Sequence, residues 1–212
     1  MSISEIAKRI GAVYGFKADA RFMPFDDLKI RWVRTSDEIS LDITDYIEDA
    51  PEEIQEGLLS TLFGKITHDM NATQDDAVVE YLNSEEFRAE HMTTFMERHG
   101  FSELDADLEG IWQELKDEGV VEGDMPKVVK SHGPMGQLGA SKLFRTIYLP
   151  ERLEGSRELL KFELAKQTAF IGQGYDGKQL DWTCYDKVKK HYGKEYDRLE
   201  ILAEHPLLGF ED

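Results

Sequence analysis

The sequence holds a single cysteine, Cys184, among 212 residues. That excludes an internal disulfide framework and a thiolate zinc site, each of which needs several cysteines, and leaves Cys184 as a half-buried thiol. With no base placed beside it in "WTCYDK", it has no signature of a nucleophile. Histidine is equally thin: His68, His91, His99, His132, His191 and His205 are scattered, and no two lie four residues apart. No helix face therefore carries a ready pair of imidazole ligands. His91 shares a stripe with Phe87 and Phe95 and is expected in or near the core. No stretch approaches the roughly 18 apolar residues of a membrane helix, and the opening "MSISEIAKRI" lacks the apolar run of a leader. The expectation is a soluble, cytoplasmic protein. Gly133, Gly136 and Gly139 lack the Lys-Ser/Thr ending of a phosphate-binding loop, and no G-x-S-x-G elbow is present. Repeats and low-complexity tracts are missing as well.

Positive charge is the other shortage. Forty-three acidic against 25 basic residues leave a formal charge of −18, which repels nucleic acid and anionic lipid over most of a surface. The one basic strand, "KIRWVR", puts Trp32 and Arg31 on opposite faces, so stacking and charge do not converge. A buried Trp32 with solvated arginines is expected, and neither nucleic acid nor membrane is an expected partner. The acidic run "DDAVVEYLNSEEFRAEH" lacks the Asp-rich glycine loop of a calcium site and reads as a solvated helix face.

What the chain does have is a core, at 41% hydrophobic residues, and clear changes of period. Ile6, Ile10 and Val13 are spaced for a helix over 4–14. "ARFMPF" and "KIRWVRTSDEISLDITDYI" alternate as strands, with "TSDE" as a hairpin turn. Ile54, Leu58, Leu62 and Ile66 recur at helical steps after Pro51. Residues 73–119 read as an acidic helical insertion or subdomain. Strand signals resume at "KVVKSHG" and "SKLFRTIYL", and helices follow over 156–171, 180–192 and 194–204. The tail "EHPLLGFED" places Leu207, Leu208 and Phe210 to dock on the chain's own core. This order gives an α+β fold, a single domain over 1–212 with the insertion inside it.

Within the amphipathic "SRELLKFELAKQT", residues Phe162-Glu163-Leu164-Ala165-Lys166 keep the frame of the zinc-protease helix H-E-x-x-H with both histidines replaced. "SKLFRTIYLPERLEGSRELLKFELAKQTAF", followed by "LDWTCYDKVKKHYGKEYDRLEILAEHP", resembles the core of the small SprT-type and YgjP-type zinc metallopeptidases. "KIRWVRTSDEISLDITDYIEDAPEEIQEGLLSTLFGKI" is similar to the strand pair and backing helix of their archaeal relatives. The resemblance covers about two-thirds of the chain. It implies a zincin-like fold, with a small, twisted, mostly antiparallel sheet packed on helices.

In active relatives two histidines at i and i+4 bind one Zn²⁺ and the intervening glutamate deprotonates its water. Carried onto this sequence, the ligand positions are Phe162 and Lys166, the base position is Glu163, and Asp181 stands near the third ligand. A phenyl ring has no lone pair to give and an ammonium repels the cation. The resemblance therefore implies no metal or cofactor and no catalytic residue, with Glu163 vestigial. Phe162 is expected to fill apolar volume beside the former metal position, and Lys166 to pair with Glu163.

Three readings remain open. One is a non-catalytic zincin-like protein whose cleft or acidic insertion binds a protein or peptide. Another is a metal-dependent hydrolase with Glu163 as base and Asp176, Asp181 or a distant histidine as unconventional ligands. The last is an α+β domain unrelated to zincins, whose Glu163 helix would not lie beside an edge strand.

Overall fold

The computed structural model describes residues 1–69, 73–133, 136–172, 174–175 and 182–205, without the side chains of Trp182 and Cys184. Asp176, Asp181, the Cys184 thiol and the tail residues Leu207, Leu208 and Phe210 lie outside the described residues. The chain forms two compact units, Met1–Phe95 and Met96–Asp212.

The first unit opens with α1 (Ile3–Val13), started by a capping box in which Ser2 and Glu5 satisfy each other's backbone amides. Strands β1 (Lys17–Met23), β2 (Ile30–Arg34) and β3 (Glu38–Thr44) form a sheet in the order β1-β3-β2. β1 runs parallel to β3, and β2 pairs antiparallel to it through the expected hairpin. Ala18, Ala20, Ile39, Leu41 and Ile43 are buried, as are Ile6, Ala7 and Ile10 of α1. Gly11 permits this close approach of helix to strand, because a Cβ there would sit 2.5 Å from that of Ala18.

Helix α2 (Glu52–Thr67) follows Pro51, which caps it rather than entering it, and ends at His68 in the left-handed region with φ 58°. Helices α3 (Asp76–Asn83) and α4 (Glu85–His99) come next. His91 is half-buried, with the Phe87 ring 4.7 Å and the Tyr46 ring 5.5 Å away.

Trp32 departs from expectation, being 53% exposed rather than buried. Its cross-strand neighbour Leu41 is 2% exposed. The helical cover thus ends before β2, the last strand of the sheet, and alternation alone does not tell an edge strand from an inner one.

In the second unit β4 (Ser102–Glu103), β5 (Lys127–Ser131), β6 (Gly139–Ser141) and β7 (Thr146–Pro150) form a sheet in the order β4-β5-β7-β6. Helix α5 (Leu108–Asp117) lies between β4 and β5 in sequence, and α6 (Arg157–Ile171), α7 (Trp182–Tyr192) and α8 (Tyr196–Glu204) close the order.

The fold is α+β, and its strands make two small sheets, one in each unit. Among the described residues three of the five strand pairings are antiparallel. The division falls inside α4, so the stretch 73–119 gives α3 and most of α4 to the first unit and β4 and α5 to the second. "SKLFRT" is a tight turn joining β6 to β7 instead of one continuous strand, with Arg145 at φ 44°. Leu143 and Phe144 are buried within that turn, which gives it the hydropathy of a strand. No helix among the described residues is long and apolar enough to cross a membrane.

Candidate functional site

Helix α6 begins where Ser156 Oγ accepts a hydrogen bond from the Leu159 amide at 3.4 Å. The sequence reads as amphipathic, yet the helix is covered on most of its circumference. Strands β6 and β7 and helices α5, α7 and α8 all pack against it. Leu159, Leu160, Phe162, Glu163, Leu164, Ala165 and Gln167 are buried in consecutive turns. Edge strand β6 therefore lies beside the Glu163 helix.

Phe162 is fully buried, its ring edge-on to Tyr192 at 5.1 Å and to Tyr196 at 5.2 Å. This matches the apolar role expected for it. Burial raises the pKa of both tyrosine hydroxyls, with a lesser contribution from nearby carboxylates and, at Tyr196, from the Tyr185 hydroxyl.

Glu163 is also fully buried, so its pairing with Lys166 is not an exposed helix pair. Its Oε2 accepts from Gln167 Nε2 at 2.9 Å, while Oε1 makes no hydrogen bond among the described residues and lies 3.8 Å from Lys166 Nζ. Desolvation pushes the Glu163 carboxyl up; Lys166 and Gln167 oppose the shift, and Glu204 and Glu200 add to it. Lys166 Nζ sits among three carboxylates, 2.9 Å from Glu200, 3.0 Å from Glu204 and 3.8 Å from Glu163. Burial disfavours its charge, but the Glu163, Glu200 and Glu204 carboxylates outweigh that and hold its pKa above the ordinary lysine value.

The polar end of this cluster opens on a cleft of about 510 Å³ whose wall includes Gly139 and Ala140 of β6, Tyr148, Arg152, Lys166, Gln167, Phe170 and Glu204. Glu163 is not on that wall; it stands behind Gln167. The Tyr148 ring packs closely over Gly139, where a Cβ would lie 2.9 Å from it. Arg152 anchors the floor, donating from Nη2 to the carbonyl of Ala203 at 2.6 Å. Desolvation lowers the Arg152 pKa and the charge of Glu163 opposes that shift.

Comparison with known protein families, with curated proteins and with solved structures finds no match to this chain.

The structure brings Phe162, Glu163 and Lys166 together and leaves Asp176 and Asp181 outside the described residues. The three frame positions do not fit a zinc ion: one is a hydrocarbon ring, one an ammonium, and the single carboxylate already contacts Gln167 and Lys166. Gln167, Arg152, Glu200 and Glu204 belong to the site, and sequence reasoning missed them. Gln167 follows Glu163 by one helical turn, so spacing alone could have flagged it. Glu200 and Glu204 form an i, i+4 pair, but nothing local indicates which helix they face.

A buried carboxyl with a raised folded-state pKa has a defined pH signature. The stability tied to its proton is present below its unfolded pKa and is lost as pH rises through the folded one. Glu163→Gln keeps the bond to Gln167 and removes the titration. It is expected to match or exceed the native stability near pH 8, by about 1 kcal/mol or more, and to lose that advantage near pH 4. Denaturant titrations across pH check this; a native protein that gains on the variant as pH rises would contradict it.

Proposed function

We propose that this chain is a cytoplasmic, non-catalytic zincin-like protein that binds an extended protein or peptide segment in the cleft beside β6. One observation carries the reading: an open cleft lies beside the edge strand β6 against α6, with Lys166 on its wall. An edge strand offers unpaired backbone groups to an incoming strand. Phe170 and Tyr148 supply apolar surface, while Lys166 and Glu204 supply polar partners on the same wall.

In this reading the cluster is structural. Lys166, tethered to α6, balances the carboxylates that a metal would otherwise balance, and Phe162 fills apolar volume in the layer below. Hydrolysis needs a base at the reacting atoms, and Glu163 has no surface on the cleft.

The test is a random peptide display selection on the whole chain, followed by affinity measurements on the selected peptides. Phe170→Ala alters the cleft wall while keeping the Glu163 cluster, and it should weaken binding by about ten-fold or more with the peptide recovered intact. Undiminished affinity in that variant would sink the cleft reading, and a cleaved peptide would favour the hydrolase.

A further inference from the structure

The first unit carries an independent feature, which does not rest on the cleft reading. β2 is an edge strand, and both the direction of its free hydrogen-bonding groups and the arrangement of its side chains can be read from the ladder. The bonds Thr44 N to Lys29 O and Thr35 N to Glu38 O fix Lys29 and Thr35 as residues bonded to β3. With the register Arg31↔Asp42 and Val33↔Ser40 between them, antiparallel alternation turns the N–H and C=O groups of Ile30, Trp32 and Arg34 outward.

Side chains divide in the same alternation. Ile30 and Trp32 lie on the face of Leu41 and Ile43, and Trp32 is 53% exposed there. Lys29 and Arg31 lie on the other face, with Lys29 Nζ 5.9 Å and the Arg31 guanidinium 5.0 Å from the Phe25 ring. Val33 shares that face and is 67% exposed. Arg34, over Phe16 at 4.9 Å and bonded to the Ile66 carbonyl at 2.7 Å, holds the far end.

Of the neighbouring carboxylates, Asp42 is held by Arg21 at 2.7 Å and Glu38 by Lys17 at 3.9 Å, and Asp27 Oδ1 accepts from the Leu28 amide at 2.7 Å. Among the described residues Lys29, Arg31 and Arg34 make no ion pair. On a chain of formal charge −18, Lys29 and Arg31 are a local pair of the scarce sign on one face, with Arg34 at the end of the other face. Beside them are a half-exposed tryptophan and outward-facing backbone.

We propose that β2 is a docking edge for an extended acidic segment of a partner protein, in which acidic and apolar residues alternate. Added as a strand, such a segment pairs its backbone with Ile30, Trp32 and Arg34. Its acidic row falls across from Lys29 and Arg31 and its apolar row across from Ile30 and Trp32. The separation of Trp32 from Lys29 and Arg31 onto opposite faces, which denies a nucleic-acid strand simultaneous stacking and charge there, is what an alternating peptide matches. A second copy of this chain is disfavoured by charge where the two strands pair about Arg31, which sets the Arg31 of one copy against that of the other.

The experiment is an amide-resolved NMR titration of the full chain with the peptide acetyl-(Glu-Val)5-amide. Parallel titrations use acetyl-(Lys-Val)5-amide and single-stranded dT12. The expected result is a shift of the Ile30, Trp32 and Arg34 amides with the acidic peptide alone. Affinity should fall about ten-fold or more in Arg31→Glu and decline as salt rises from about 50 to 300 mM. Trp32→Ala should weaken binding without abolishing the charge dependence, and both variants should keep the remaining spectrum. Absence of β2 shifts, equal affinity in Arg31→Glu, the same shifts with dT12, or concentration-dependent dimerisation through β2 would each overturn the proposal. Loss of binding in Phe170→Ala with β2 intact would assign the peptide to the other unit and overturn it as well.

Discussion

Lys166→Ala is expected to lower the stability of the second unit by about 2–4 kcal/mol near neutral pH. Removing one partner of a buried ion pair typically costs about 3–5 kcal/mol, because the other charge stays buried and uncompensated. The lysine side chain is 15% exposed and holds three carboxylates, of which Glu204 is half exposed and recovers part of its solvation. Glu163 does not recover it, being fully buried.

Without Lys166, desolvation of Glu163 and repulsion from Glu200 and Glu204 lose their main opposition, so the Glu163 carboxyl moves further up. Protonation then relieves the strain, and the deficit of the variant shrinks as pH falls. Glu163→Gln in the Lys166→Ala background should restore part of the loss at neutral pH. Amide exchange of α6 reads the second unit directly. A loss below about 0.5 kcal/mol, the scale of an exposed pair, would mean that Lys166 acts as a surface residue.

Phe162→Ala is expected to cost about 3–5 kcal/mol, the range for emptying a buried aromatic site that cannot collapse. The neighbours are stiff: Tyr192 and Tyr196 meet the ring edge-on, and Leu159, Leu164 and Ala165 of α6 are buried around it. The ring also supports Lys166, whose Nζ lies 5.8 Å from its centroid. The variant should loosen the carboxylate cluster as well as the core, and in a double-mutant cycle Phe162 and Lys166 should couple rather than add. Urea unfolding of the four proteins measures both effects. A cost near 1 kcal/mol would show that the layer refills, and the phenylalanine would then have no special packing role at this position.

Much of the architecture was legible because it depends on local period. The hairpin of β2 and β3 and the helices at Glu52–Thr67 and Arg157–Ile171 follow from alternation, apolar spacing and caps within each segment. Properties set by distant neighbours were not legible. The exposure of Trp32 depends on where helical cover ends, and the turn at Lys142–Arg145 hid behind the buried Leu143 and Phe144. The division of the strands into two sheets is likewise set by pairing across long separations in sequence. At the candidate site, Phe162, Glu163 and Lys166 were identifiable from a four-residue frame. Their chemistry was not, because the burial of Glu163 comes from the strands and helices around α6, and Glu200 and Glu204 reach Lys166 from α8.

In the proposed function Lys166 and its carboxylates stand where a metal would otherwise be held. Metal content addresses it most directly: untagged full chain is exposed to zinc, dialysed, and its metal stoichiometry measured by elemental mass spectrometry. Near-zero zinc per chain is expected, unchanged in Glu163→Gln. About one tightly held zinc per chain, lost in Glu163→Gln, would contradict it and restore Glu163 to a metal-dependent hydrolase.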